Sequence, residues 1–413
     1  MSMRTVVACL AAVAAIVSGC STSTPAESAD PSGAMPLPGD FGGDAAGSLL
    51  SAHTLPTLDR RLSAASSVAA RITYLSTSGI DGSVREVSGT VFTPAGTPPD
   101  GGWPVIAYGH PTTGTRSECA PSLDPMLLGM SQTVTGLVKA GYVVTVADYQ
   151  GLGTDGYHPY LDATTEGYNL IDSVRAARKL TAGASTRWAA FGGSQGGQAA
   201  WAANELAGGY APELQLVGSA SYSAPLSLEG FVDGAVEGTL TSEQRLALLQ
   251  VLGSLAAASP DFPLDDYRSG LAKEKWDVFE ACKGPQAEER DRLANDLTAD
   301  DVRPASPGAA ETLRARLTAM SLPKVPATAP LLIVYGGQDQ LVPPVWTDRA
   351  LEEACRKGDV IQIEFQPDRG HADVDGGSAF PWINQRFAGE PVRNDCPAFL
   401  GPVEPPETEQ VPQ

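Results

Sequence analysis

Seven short apolar runs, each four to six residues long and rich in β-branched side chains, recur along this chain with helical stretches between many of them. They fall at 87–92, 105–108, 143–147, 188–191, 216–219, 331–335 and 361–365, and the clearest helical stretches at 132–140, 167–180, 196–206 and 344–356. A strand covered on both faces needs no polar side, so its residues stay apolar throughout instead of alternating. The rhythm therefore predicts an α/β fold with a mostly parallel central sheet and helices on both faces. One interval breaks it: 225–324, between the fifth and sixth runs, holds no convincing strand and reads as helical. Thr241-Ser242-Glu243-Gln244 fits a capping box opening a helix over 243–255, and Asp266 is expected to open another reaching Cys282. We read the interval as an inserted cap over the C-terminal edge of the strands, where open α/β sheets bind ligands. It would divide the core into 48–224 and 325–400; a separate second domain is the other reading.

The two ends differ from this body. Arg4 followed by the apolar stretch 6–17, too short to cross ~30 Å of hydrocarbon, predicts a signal peptide over 1–19. Val17-Ser18-Gly19-Cys20 resembles a bacterial lipobox, so Cys20 is expected to carry lipid and anchor an exported protein to the membrane. Simple secretion with Cys20 unmodified is the alternative. Residues 20–47 read as a flexible tether and 401–413 as an acidic, Pro-rich tail. With 28 Lys+Arg against 48 Asp+Glu, the net charge of -20 repels nucleic acid, so attachment to a membrane needs something other than a basic patch. Cys119, Cys282, Cys355 and Cys396 remain, an even number that suggests two disulfides in an exported chain. Proximity in sequence favours Cys355 with Cys396, leaving Cys119 with Cys282.

The chemistry is expected where a strand meets a helix. Gly192-Gly193-Ser194-Gln195-Gly196 follows the run 188–191 and opens the Ala-rich stretch 196–206. Small flanking residues permit a turn sharp enough to present the Ser194 hydroxyl as a nucleophile. A serine needs a base, and the chain has four histidines. His53 borders the tether, His110 follows the second run, where oxyanion donors are expected, and His158 is expected to line the cleft. His371 follows the last run and is the candidate base. Asp339, after the run 331–335, is the candidate carboxylate, with Asp373 and Asp375 as alternatives in the loop of His371. The amides of Gln195 and Thr112 are the expected oxyanion donors, with Thr113 second; Pro111 has no N–H.

The elbow, the acid and base loops and the interval of about 100 residues together resemble the secretory lipase family of the α/β-hydrolases. Asp148-Tyr149-Gln150-Gly151-Leu152-Gly153-Thr154 with His158-Pro159-Tyr160, and the loop Gly109-His110-Pro111-Thr112-Thr113-Gly114, are similar to stretches of that family. The resemblance implies a carboxylic ester hydrolase with the triad Ser194, Asp339 and His371, acting on acylglycerols or related esters with a hydrophobic acyl chain. No metal, cofactor, nucleic acid or obligate protein partner is expected. An amide hydrolase, an acyltransferase and a non-catalytic envelope-binding lipoprotein are the alternatives.

Overall fold

The structure, a computed structural model, describes residues 33–401. The expected signal segment 1–19, the lipid attachment at Cys20 and tail residues 402–413 lie outside the described residues. Nine strands form one sheet: β1 (Leu49–Thr54), β2 (Ser66–Thr77), β3 (Val84–Pro94), β4 (Trp103–Gly109), β5 (Val143–Ala147), β6 (Ala184–Gly193), β7 (Gln215–Tyr222), β8 (Leu331–Gly336) and β9 (Ile361–Gln366). Their order is β1-β2-β3-β5-β4-β6-β7-β8-β9. The pairings from β5 through β4, β6, β7 and β8 to β9 are parallel, while β1, β2 and β3 form an antiparallel flank that joins the rest by pairing β3 with β5. This is the α/β-hydrolase fold.

Alternate residues of β6 show why the central strands are continuously apolar. Trp188 and Ala190 pack with Leu170 and Val174 of the helix Ala163–Leu180 and with Ala199 and Ala203 of the helix Gln195–Tyr210. Ala189 and Phe191 face the opposite layer, with Val134 and Leu137 of the helix Ser131–Lys139 and Trp382 and Ile383 of the helix Ala379–Ala388. The alanine run in Gln195–Tyr210 brings that helix close to its neighbour; a Cβ on Gly167 would lie 2.9 Å from the backbone of Ala202 and Ala203.

The antiparallel flank corrects the expected tether. Residues 33–47 do not all form a free linker: Pro36 bridges to His53, Phe41 bridges to Leu49, and the Leu37 amide donates to the Ala52 carbonyl at 2.9 Å. Leu37 also packs against the core. The exposed edge of β1 offers unpaired backbone groups, and this segment satisfies some of them.

Between β7 and β8 the described residues hold helices and no strand. Ser242–Ala258 and Pro307–Met320 are the longest, and with Glu229–Glu237 they share an apolar cluster that includes Phe231, Leu248, Leu252, Leu313 and Leu317. Thr241 and Gln244 close a reciprocal capping box on Ser242–Ala258. The single helix expected from Asp266 to Cys282 is instead two short ones, Gly270–Glu274 and Trp276–Phe279. Ser269 is extended and Gly270 has φ +42°, which interrupts the helical path. Cys119–Cys282 ties this interval to the loop after β4, and Cys355–Cys396 holds the chain end to the helix Pro344–Lys357. In the chain-entropy picture each closure is worth roughly 4–5 kcal/mol.

Candidate active site

Ser194 alone joins β6 to the helix Gln195–Tyr210, with φ 52° and ψ -125°. A side chain in that region costs on the order of 1–3 kcal/mol and persists only where its surroundings over-determine it. Here the Ser194 amide donates to the Tyr222 carbonyl at 2.9 Å, and its own carbonyl accepts from the amides of Gly197 and Gln198. The flanking glycines are a steric requirement: a Cβ on Gly193 would overlap the Tyr222 ring, and one on Gly196 the Gly109 carbonyl.

Two other loops converge on this turn. His371 Nε2 lies 3.0 Å from Ser194 Oγ, and His371 Nδ1 lies 2.8 Å from Asp339 Oδ2. Asp339 is 3% exposed, and its other oxygen accepts the amides of Leu341 at 2.9 Å and Val342 at 2.8 Å. Both carboxyl oxygens are thereby fixed. Asp373 and Asp375 instead accept from the amides of Gly370 and Gly377 in their own loop.

Sequence reasoning missed the dipeptide that ties the Ser194 turn to the His371 loop and to the strand leading to Asp339. Tyr222 receives the Ser194 amide, the Ser223 amide donates to the Val334 carbonyl in β8, and Ser223 Oγ donates to the His371 carbonyl at 3.0 Å. Nothing in the local sequence marks Ser223; its role follows from the position of β7 between β6 and β8.

A cavity of about 560 Å³ opens over Ser194 and His371. Tyr160, Tyr222, Leu341 and Val374 line it together with Leu246 and Ala247 from the interval 225–324. Thr112 and Thr113 also line it. Thr112 Oγ1 is 2.9 Å from Tyr160 Oη, whereas buried Thr113 Oγ1 has no hydrogen-bond partner among the described residues. Cys282 is in the cavity wall, and its bridge to Cys119 packs so closely on Gly114 that a Cβ there would lie 2.6 Å from Cys119 Sγ.

His158 does not line the cleft as expected. It is 2% exposed, and burial lowers its pKa to about 3. Its ring meets the fully buried Gln195 side chain, which also reaches Glu166. Burial pushes the Glu166 carboxyl well above the usual carboxylate range. His110 is buried too, with Nδ1 2.7 Å from the Pro111 carbonyl, and His53 is a residue of β1. Trp201, Trp346 and Trp382 are core residues. Among the described residues no three His, Cys, Asp or Glu side chains converge as a metal site would require.

Residues 123–395 match the family described as Secretory lipase. A secreted triacylglycerol lipase of Malassezia globosa is 24% identical over 314 residues, 68% of this chain and 65% of that protein. A Mycobacterium tuberculosis protein named a probable inactive lipase is 27% identical over 355 residues, 76% of this chain and 74% of that protein. The chain thus spans just under two thirds of the length of the Malassezia globosa relative. Among solved structures, Candida antarctica lipase A in its closed state aligns with a TM-score of 0.69 at 19% identity, over 88% of this chain and 87% of that one. A rice cell wall degrading esterase from Xanthomonas oryzae aligns with a TM-score of 0.61 at 25% identity, over 84% of this chain and 97% of that one.

Proposed function

This chain belongs to the secretory lipase family, and from that premise we propose that it hydrolyses carboxylic esters of hydrophobic acyl chains through an acyl-enzyme on Ser194. The observation that carries the reading is the unbroken chain from Ser194 Oγ to His371 Nε2 at 3.0 Å and from His371 Nδ1 to Asp339 Oδ2 at 2.8 Å. A carboxylate can only accept, so Nδ1–H donates to Asp339 and leaves the Nε2 lone pair for the serine proton. His371 takes that proton as Ser194 Oγ attacks the ester carbonyl, and Asp339 offsets the charge of the imidazolium. His371 then protonates the departing alcohol. Water enters, His371 removes its proton, and the carboxylic acid is released with Ser194 restored. Every proton is handled by a side chain of this chain, so the scheme needs no cofactor.

The tetrahedral intermediate's oxygen requires N–H donors already in place. We assign them to the amides of Gln195 and Thr112. The Tyr160 hydroxyl steadies the Thr112 side chain, and Thr113, whose buried hydroxyl has no hydrogen-bond partner among the described residues, is the second candidate from that loop. Interval 225–324 acts as a cap whose Leu246 and Ala247 supply apolar wall for the acyl chain. Several relatives are named secreted lipases, which supports export by the segment 1–19, with Cys20 as the proposed lipid attachment.

The test is a chain-length series of soluble esters with a matched amide and an emulsified triacylglycerol, run on wild type and Ser194→Ala. Ester cleavage that disappears in Ser194→Ala is the expected result. Preference for the amide would replace the substrate class, and no turnover in wild type would place this chain with its relative named inactive.

A further inference from the structure

The turn at the nucleophile reads Gly192-Gly193-Ser194-Gln195-Gly196-Gly197. Glycine gives the backbone the freedom to make the turn but nothing with which to hold it. Only two of these six residues have side chains to anchor. Ser194 must keep its hydroxyl available for reaction, so beside the backbone bonds of Ser194 the Gln195 carboxamide is the one side-chain group that can pin the turn from within.

That carboxamide is fully buried, and its nitrogen is directed to two partners while its oxygen Oε1 has no hydrogen-bond partner among the described residues. Gln195 Nε2 is 2.7 Å from Glu166 Oε1 and 2.9 Å from His158 Nε2. His158 Nδ1 is 3.0 Å from the Gln150 carbonyl, which can only accept, so Nδ1 carries the proton and Nε2 accepts from Gln195. Both N–H bonds of the carboxamide are therefore used, one on each partner. Glu166 Oε1 also accepts the Leu161 amide at 3.0 Å, while Glu166 Oε2 has no hydrogen-bond partner among the described residues. Glu166 and Gln195 are each 0% exposed. Neither partner of Glu166 is a cation, and burial favours its neutral acid form.

Gln195 is the first residue of its helix, so its amide N–H has no acceptor within that helix. The direction of that N–H depends on two backbone rotations next to a strained serine. We propose that Glu166 and His158 are positioning residues which clamp the Gln195 carboxamide and so keep its backbone N–H aimed at the developing oxyanion. The inference rests on the ester-hydrolase reading above. A neutral Glu166 matters to it, because a carboxylate behind the amide would oppose the negative charge forming in front of it.

The test compares Glu166→Leu, Glu166→Gln and Gln195→Met with wild type. Each is assayed for kcat and KM on a soluble short-chain ester, for inhibition by a trifluoromethyl ketone that forms an anionic hemiketal, and for melting temperature. Misaiming one oxyanion donor costs less than removing it, so Glu166→Leu and Gln195→Met should lower kcat about tenfold and weaken ketone inhibition similarly, with KM within about twofold. Glu166→Gln keeps the shape, the acceptor and the neutral charge, and should stay within about threefold of wild type. If Glu166→Leu does not fold, the other two variants decide. Wild-type kcat and ketone affinity in Gln195→Met, or Glu166→Gln as impaired as Gln195→Met, overturns the proposal. A fluorophosphonate label on Ser194 of the wild type separates the two levels: an unreactive wild type overturns the hydrolase reading and this inference with it. A reactive wild type whose variants all match it overturns this inference alone.

Discussion

Asp339 and Glu166 are carboxyl groups that reach the Ser194–Gln195 turn through different partners, the His371 ring in the cavity wall and the buried Gln195 carboxamide. Both are almost sealed from solvent, yet their surroundings differ in kind. Asp339 receives two backbone amides and the His371 ring, one or more donors on each oxygen. Glu166 receives two donors on one oxygen and none on the other, and burial pushes it well above the usual carboxylate range. The first arrangement suits a charge that must offset an imidazolium. The second suits a neutral acid that only orients an amide. In the proposed mechanism the cavity side, the front of the site, moves protons, and the buried side, the back, holds geometry.

If that division is right, substitutions in front should reach much further than those behind. Ser194→Ala is expected to lower kcat by about 10⁶, measured by ester turnover at saturating substrate. Asp339→Asn should keep the fold but favour the wrong tautomer of His371, lowering kcat by about 10⁴. A loss below tenfold there would mean that Asp373 or Asp375 serves as the carboxylate. Ser223→Ala removes the hydroxyl on the His371 carbonyl, a neutral hydrogen bond worth about 1 kcal/mol, so kcat should fall roughly fivefold with KM unchanged.

The smallest effects sharpen the comparison through stability. The pKa of native His158 is lowered to about 3, so its contribution is complete above the ordinary value near 6.5. That contribution is lost as pH falls toward about 3. Glu166 has the opposite sign: with its native pKa raised, its contribution is complete below the ordinary carboxyl value and is lost as pH rises through the raised one. Denaturant unfolding measured across pH should show a flatter acid limb in His158→Gln and a flatter neutral limb in Glu166→Gln. Identical pH profiles for wild type and both variants would contradict the buried network as described.

Much of the front was legible in the sequence because its requirements are local. A strand, a glycine-flanked serine and an alanine-rich helix mark the elbow, and the base and carboxylate each follow an apolar run. All seven expected runs lie within strands. The two strands not anticipated, β1 and β2, belong to the antiparallel flank. Ala70, Ile72 and Tyr74 are buried in β2 at every second position, but Arg71 and Thr73 between them, with Ser66, Ser67, Ser76 and Thr77 at the strand's ends, dilute the apolar signal. The back of the site was harder because its residues meet only in three dimensions. One trace was present: Glu166, Asn169 and Asp172 recur at every third position of Ala163–Leu180, a polar stripe on a face that is entirely buried. A helix that packs such a stripe against its sheet must satisfy it internally. Residues 33–47 deceived for a different reason, since a run of Gly, Ala and Pro with scattered acids reads as a linker although part of its backbone pairs along β1.

The most direct test of the central claim is to trap the acyl-enzyme. Wild type mixed with a slowly deacylating activated ester and quenched in acid should carry the acyl mass on the peptide containing Ser194, and Ser194→Ala should carry none. An acyl group found on another residue, or full ester turnover by Ser194→Ala, would contradict the account.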